Sequence, residues 1–321
     1  MKKLILFLLF QIICATAFSE NPRWKEFGWS IPAHADLDVR WNAPTNKMPA
    51  SIWIYHLLPR KLSPQIISNL MTVCSFTEKD KTENGDLLIF NSPDGSRHLR
   101  VSWPWGIIDY QTKHQVSPTN LIEGVPSKRR AIKLTKAILP KLGIELSDIE
   151  KKENSSEPQL NVGFSEITYF INHKAIKNLE SHNVGFRRVV DGMPFFGAGG
   201  TGGDGEIEFG DHGKISRILI TWRNMERENS YPTVSAEMMV KSIREGKAVQ
   251  GYLPGNVGDI DWSRVKSVTI KKVSPCYDSG GGRFAPSDWL YPFAALDTTV
   301  DTGHGNIDVE IDCPIIDETN L

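Results

Sequence analysis

The C-terminal region of the 321-residue chain concentrates side chains that can bind a metal ion. Four aspartates and one histidine fall within a short stretch: Asp297, Asp301, His304, Asp308 and Asp312. Calcium is bound preferentially by carboxylate oxygens. The stretch is not an EF-hand, because the alternating ligands and the distal glutamate of that motif are absent. We therefore take Asp301, His304 and Asp308 as candidate calcium ligands. The alternative is a glycine-rich hairpin whose acids face water, which the apolar/acidic alternation of residues 307–312 favours.

A second segment, residues 197–205, contains six glycines and can expose backbone amides to a phosphate. It lacks the Lys-Ser/Thr pair that completes a P-loop, and no predicted helix follows it. The alternative is the tip of a hairpin. A long loop beside a sheet edge is also a place where a partner can dock.

Known catalytic signatures are missing from the sequence. It has no Gly-x-Ser-x-Gly elbow, no His-Glu-x-x-His helix and no Cys-x-x-Cys pair, which removes the commoner secreted hydrolases and redox proteins. We predict no catalytic residue and no organic cofactor. A secreted hydrolase with an unrecognised site remains the alternative, because catalytic triads assemble from distant positions.

The N-terminus has the pattern of an export signal. Lys2 and Lys3 precede the apolar run 4–13, and small residues at 17–19 suit a signal peptidase. A retained membrane anchor is the alternative, but the run is only about half the length that a membrane-spanning helix needs. Lipidation of Cys14 is a further alternative. We predict an extracytoplasmic protein, periplasmic or secreted, with no membrane span after cleavage.

Charge and cysteine content limit the partners. Removal of Lys2 and Lys3 leaves 35 basic and 38 acidic residues, a net charge of about −3, which does not favour binding to nucleic acid.

Three cysteines follow the predicted signal peptide. In an oxidising compartment two of them can pair. We predict a disulfide between Cys276 and Cys313, both in the C-terminal strand region, and a buried thiol at Cys74.

Periodicity predicts three helices, each preceded by a residue that can cap it: Ser63 before Pro64, Ser127, and Thr233 or Ser235. Alternating segments predict strands, which are 51–55, 87–90, 99–103, 105–110, 167–171, 185–196, 205–222, 265–273, 289–296 and 307–311. Segments 185–196 and 205–222 form the clearest hairpin pattern. The recurring order is one helix followed by a strand meander.

That order predicts an α+β fold of tandem units, each with one helix packed on an antiparallel β-sheet. The predicted divisions are a signal peptide at 1–19, an irregular Trp- and Pro-rich arm at 20–50, and units at 51–122, 123–230 and 231–321. The last can instead be a C-terminal strand region.

Residues 189–197 and 206–215 carry a resemblance to a known superfamily. Val189-Val190-Asp191-Gly192-Met193-Pro194 and the following Asp211-His212-Gly213-Lys214 turn look like the strand-turn-strand and hairpin of PepSY and thermolysin-propeptide domains. The likeness covers roughly residues 186–222. Members of that superfamily are generally non-catalytic inhibitors, chaperones or sensory modules of secreted proteins.

The resemblance implies a binding or regulatory role with a protein or peptide partner in the cell envelope, and it transfers no catalytic residue. We expect contact through an edge strand or hairpin loop. The residues that we predict at that surface are Phe195, Phe196, Gly199, Gly200 and Gly202.

Overall fold

A computed structural model describes residues 29–44, 48–113, 122–171, 174–196, 203–251, 260–278 and 288–317. The predicted signal peptide, Cys14 and Gly199, Gly200 and Gly202 lie outside these ranges. Within them the chain forms two compact units. One contains residues 29–53, 230–275 and 292–317, and the other contains residues 54–229 and 276–291.

The elements, in chain order, are mostly strands. The first nine are β1 (Trp29–Ser30), β2 (Asp38–Trp41), β3 (Ser51–Leu58), β4 (Lys81–Asn84), β5 (Leu87–Asn91), β6 (Arg97–Ser102), β7 (Ile107–Thr112), β8 (Asn161–Ile171) and β9 (Lys174–Arg187). The others are β10 (Val189–Val190), β11 (Met193–Phe196), β12 (Asp204–Phe209), β13 (Ile215–Thr221), β14 (Asn224–Pro232), β15 (Val249–Gln250), β16 (Ser267–Asp278), β17 (Trp289–Asp301) and β18 (Asn306–Pro314). The α-helices are α1 (Pro64–Cys74), α2 (Lys128–Ile138) and α3 (Ala236–Arg244).

The larger unit is built on an eight-stranded antiparallel sheet in the order β4-β5-β6-β7-β13-β12-β9-β8. Alternate residues of its strands are apolar and buried, because successive side chains of a strand point to opposite faces. Helices α1 and α2 cover this apolar face. Its buried side chains are Leu88, Phe90, Leu99, Val101, Ile108, Tyr110, Val184, Phe186, Ile207, Phe209, Ile218 and Ile220.

The predicted helix starts are confirmed. The side chains of Ser63, Ser127 and Ser235 each accept a hydrogen bond from the backbone amide three residues later, which satisfies an otherwise unpaired helical donor. The α2 helix continues as a 3₁₀ turn and stops at Gly143, whose φ of 71° is left-handed. No helix of the described ranges has both the length and the hydropathy of a bilayer-spanning segment.

A buried arginine fixes the end of that 3₁₀ turn. Arg60 is 7% exposed, and its Nη2 donates to the carbonyls of Leu142 (2.8 Å) and Gly143 (3.0 Å). These are C-terminal carbonyls that the helix itself leaves without partners. Their partial negative charge stabilises a cation at this position.

In the smaller unit, strands β1, β15, β18, β17 and β16 lie side by side, and β2 pairs with β16 in parallel. Helix α3 packs against β18 and β2. Met239 and Ile243 point from α3 into the core. The helix is also tied to the loop before β2, since Arg244 Nε donates to the carbonyl of Leu37 at 2.9 Å.

The predicted fold class of tandem helix-on-sheet units is wrong. The chain is mostly β, with 51% of it in strands and two large sheets. The cause is one non-local pairing: β7 pairs with β13, which places Ile108 opposite Ile220. Strands from the predicted segments 51–122 and 123–230 therefore share one sheet, and both of their helices lie on it.

The predicted hairpin of segments 185–196 and 205–222 also differs in detail. Strand β9 pairs directly with β12, so Arg187 lies opposite Asp204. Between these strands in the sequence, β10 pairs with β11 around Asp191, and β11 runs parallel to the end of β16. The sequence pattern gives the two turns correctly but not the partner of β11.

Replacing Gly106 with alanine is expected to lower the free energy of unfolding by about 2 to 4 kcal/mol. Gly106 has a φ of +59°, and an added Cβ would lie 2.5 Å from the backbone oxygen of Trp222. Urea unfolding measures the loss. Gly85→Ala is the control, because its φ is +58° but no atom lies within 4 Å, so it carries only the backbone strain of about 1 kcal/mol. Equal losses in the two variants would contradict the steric argument.

Candidate functional site

The face of the eight-stranded sheet opposite the helices is polar. Its central rows, read from the strand pairing, run Asp109–Leu219–Glu206–Gly185–Asn161 and Gln111–Arg217–Glu208–Asn183–Gly163. We call these ten residues the polar face. Its polar and charged side chains alternate along each strand with the buried apolar ones, so one strand pattern specifies both faces.

A cavity of about 500 Å³ opens on the polar face around Gly185. Gly185 lies between Glu206 and Asn161, and an added Cβ there would meet no atom closer than 3.9 Å. Because Gly185 has no side chain, its backbone forms the floor of the cavity. The polar residues that line this Gly185 cavity are Glu150, Gln159, Asn161, Arg187, Asp204, Glu206 and Arg217.

Both arginines of the Gly185 cavity already have partners. Arg187 Nη1 lies 3.5 Å from Glu150 Oε2, and its guanidinium is 4.1 Å from the ring centroid of Phe196. Arg217 Nη1 lies 3.8 Å from Glu206 Oε1. Glu206 also accepts a 2.7 Å hydrogen bond from the Asn183 amide. These pairs hold four of the charged lining groups in place.

Asp204 is the remaining charged group of the cavity. It is half-buried, and within the described residues its carboxyl has no hydrogen bond or ion pair with another side chain. Burial raises its pKa to about 6, although the charge of Arg187 acts in the opposite direction. A carboxyl that titrates near neutral pH can hold a cation when ionised or transfer a proton.

A second polar cluster fixes the turn on which the PepSY resemblance depends. Tyr55 donates to Asp191 Oδ2 at 2.5 Å, and Arg227 Nη2 donates to Asp191 Oδ1 at 2.8 Å. Asp191 has a left-handed φ of 49°. Burial, together with the hydrogen bond to Asp191, raises the pKa of Tyr55 to about 12. The Asp191-Gly192 turn is therefore anchored by side chains that are remote in sequence.

Two of the predicted partner-contact residues lie in β11. Phe195 is completely buried, at 0% exposure, and thus offers no accessible ring. Phe196 is half-buried beneath the guanidinium of Arg187. Because Gly199, Gly200 and Gly202 are outside the described residues, partner contact through the glycine segment stays a prediction.

The candidate calcium ligands lie around the β17–β18 turn. Asp301 Oδ1 accepts from the Gly303 amide at 2.8 Å, and His304 is exposed. Asp308 Oδ1 accepts from Lys271 Nζ and Thr299 Oγ1, both at 2.7 Å. Within the described ranges no three acidic, histidine or cysteine side chains are grouped to hold one ion. Calcium binding stays a prediction.

The described cysteines are all buried. Burial raises the pKa of the Cys74 thiol in α1 above its ordinary value, which makes that thiol unreactive. Cys276 lies in β16 and Cys313 in β18, where the Cys313 thiol donates to the carbonyl of Met239 at 3.6 Å. The predicted Cys276–Cys313 disulfide stays a prediction.

Neither family models nor curated proteins match this chain. It is similar to a solved structure of an uncharacterized protein from Eubacterium rectale, at 9% sequence identity and a TM-score of 0.47. The similarity covers 86% of this chain and 85% of the other. The PepSY resemblance therefore stays a prediction.

Sequence reasoning missed Gly185, Asp204 and Tyr55. A glycine inside a strand pattern, as at Gly185, is a sign of close approach or a missing side chain. The alternating acids Asp204, Glu206 and Glu208 lie on one face of β12. Neither signal shows that these residues lie together, which follows only from the pairing of β9 with β12.

Asp204→Asn is expected to stabilise the protein above pH 6 and to leave stability nearly unchanged below pH 4. The folded pKa of about 6 is above the unfolded value near 3.9. The protonated carboxyl therefore favours the folded state, and this contribution is lost as pH rises through 6. The gain at pH 8 is at most about 2 to 3 kcal/mol.

Urea unfolding between pH 4 and pH 8 measures this dependence. Asp36→Asn, at an exposed acid outside the cavity, controls for the change in net charge. A stability difference between Asp204→Asn and the parent that does not vary with pH would contradict the role of burial.

Proposed function

We propose that this chain is a secreted or envelope binding and regulatory protein of PepSY-like type that contacts a protein or peptide partner. We further propose that the Gly185 cavity receives a lysine or arginine side chain of that partner. The observation that carries the proposal is Asp204, a half-buried carboxyl without a side-chain partner in the described structure.

The charges of the cavity favour a cationic group. Its lining contains three carboxylates, those of Glu150, Asp204 and Glu206, but only two guanidiniums. Each guanidinium has a carboxylate beside it, so Asp204 carries the excess negative charge. A buried charge without a partner is unfavourable, and an ammonium or guanidinium from a partner would compensate it.

The size and lining of the cavity also suit a side chain. Its volume of about 500 Å³ lies within the usual range of ligand pockets. The amides of Gln159 and Asn161 provide additional hydrogen-bonding groups at its wall. An extended peptide lying across the polar face would direct alternate side chains toward the sheet.

The second candidate is a hydrolase, and the same carboxyl favours it. A pKa of about 6 suits a general acid. Asp204 and Glu206 point from the same face of β12, with Cα atoms about 7 Å apart. Most glycoside hydrolases use two carboxyl groups that flank the bond to be cleaved.

The binding proposal is tested with blocked pentapeptides, Gly-Ser-Xaa-Ser-Gly, in which Xaa is arginine, lysine, citrulline or norleucine. Arginine and lysine peptides should bind at least about tenfold more tightly than their neutral counterparts, since a charge-assisted hydrogen bond contributes about 1.5 to 3 kcal/mol. Asp204→Asn should abolish this preference, and lowering the pH through 6 should weaken it. Isothermal titration calorimetry measures each affinity.

Glu208→Gln is the matched control, because Glu208 lies on the same face of the same strand but does not line the Gly185 cavity. Equal affinity for arginine and citrulline peptides would reject the proposal. Turnover of chromogenic glycosides or esters that persists through purification, and that disappears in both Asp204→Asn and Glu206→Gln, would decide for the hydrolase.

A further inference from the structure

Strand β8 is a long outer strand. It runs from Asn161 to Ile171 and is the last strand of the eight-stranded sheet, paired on one side with β9. On its other side no strand pairs with it within the described residues. A bare edge of this kind presents backbone donors and acceptors to any other extended chain.

The side chains of β8 include two of the most exposed aromatics of the described structure. Phe164 is 62% exposed and Phe170 is 76% exposed. They are six residues apart in a regular strand, so both point to the same face, about 20 Å from each other. Both rings therefore lie along the edge at which no strand pairs with β8 within the described residues.

Strand β8 lacks the devices that normally protect an edge. It contains no proline or lysine, and its one charged residue, Glu166, is paired with Lys177 of β9 at 3.0 Å. The irregularity of this hairpin lies in β9, where Glu180 is the extra residue, so the outer strand stays regular. Protected edges usually carry charges, prolines or bulges.

The pattern of β8 is complementary to itself. In a two-fold antiparallel pair, directly opposed residues point to the same face of the sheet, so the symmetry axis must pass through a residue and not between two residues. With the axis at Ile167, Phe164 of each copy lies opposite Phe170 of the other copy. Glu166 of each copy then lies opposite Thr168 of the other. An axis at Glu166 opposes two glutamates, and axes at Ser165 or Thr168 place Glu166 against a phenylalanine.

We propose that two copies of this chain associate antiparallel through β8, with the two-fold axis at Ile167, and so form one continuous sheet. The aromatic pairs and the added backbone hydrogen bonds stabilise the dimer. This surface is separate from the proposed peptide site. Phe164 and Phe170 share the face of Val162, which packs on the helix-side core, whereas Asn161 lines the Gly185 cavity on the opposite face.

Disulfide trapping tests the register on the mature protein. In Ile167→Cys the two introduced cysteines oppose each other across the axis, with Cα atoms about 4.5 to 5.5 Å apart, within the Cα range that a disulfide spans. Mild oxidation should give a covalent dimer in high yield. Ser165→Cys is the matched control on the same face, because its copies would be separated by four residues, about 14 Å, and should stay monomeric under the same oxidation.

Light scattering after size exclusion tests the association itself. The parent protein should show a dimer that dissociates on dilution, and Phe170→Lys, which places a cation opposite Phe164, should be a monomer. Its circular dichroism should match the parent. A monomeric parent at every concentration, or equal cross-linking of Ser165→Cys and Ile167→Cys, would overturn the proposal. The affinity of Phe170→Lys for the arginine peptide is measured in the same series. Because the Gly185 cavity and the β8 edge are separate surfaces, failure of the dimer proposal can be distinguished from failure of the peptide-binding proposal.

Discussion

The burial of alternate side chains on one face of the eight-stranded sheet is the constraint on which the larger unit depends. Leu99, Ile108, Val184, Ile207 and Ile218, each completely or almost completely buried, point to the helices. The residues between them must then point to the other side. Helices α1 and α2 cover one face only, and the Gly185 cavity opens on the other. The same periodicity thus gives both the buried core and the candidate site.

The Gly185 cavity depends on that division in a particular way. A strand interior usually disfavours glycine, because it adds no packing and loses more conformational freedom. Gly185 nevertheless lies between two paired strands, where it leaves room above the sheet. Asp204 lies beside that room with its carboxyl half-buried. Both residues are locally unfavourable for folding, and such exceptions are expected at functional sites.

Much of the local structure could be predicted from the sequence, because its determinants are adjacent residues. Ser63, Ser127 and Ser235 each cap the helix that follows, and Asp191-Gly192 makes the expected turn. What could not be predicted is which strands become neighbours. Periodicity assigns Ile108 and Ile220 to a buried face but does not say that they oppose each other. The tandem-unit prediction failed at that pairing.

The candidate site illustrates the same limit. Asp204 and Arg187 are opposed only because β9 pairs with β12 past an intervening hairpin. The raised pKa of Asp204 comes from burial, a property of the assembled sheet and not of the neighbouring residues. Phe195 is a related case, since its place in an apolar motif did not reveal that β11 pairs with β16 or that the Phe195 ring is fully buried.

The anchored turn at Asp191 has a consequence for the order of folding. Tyr55 and Asp191 are 136 residues apart, and Arg227 is 36 residues beyond Asp191. Joining such distant points costs loop-closure entropy before the contact contributes any stability. We expect the phenol and the guanidinium to reach the carboxylate only after the intervening strands have assembled. The short motif that is easiest to see in the chain would then be among the last to reach its final geometry.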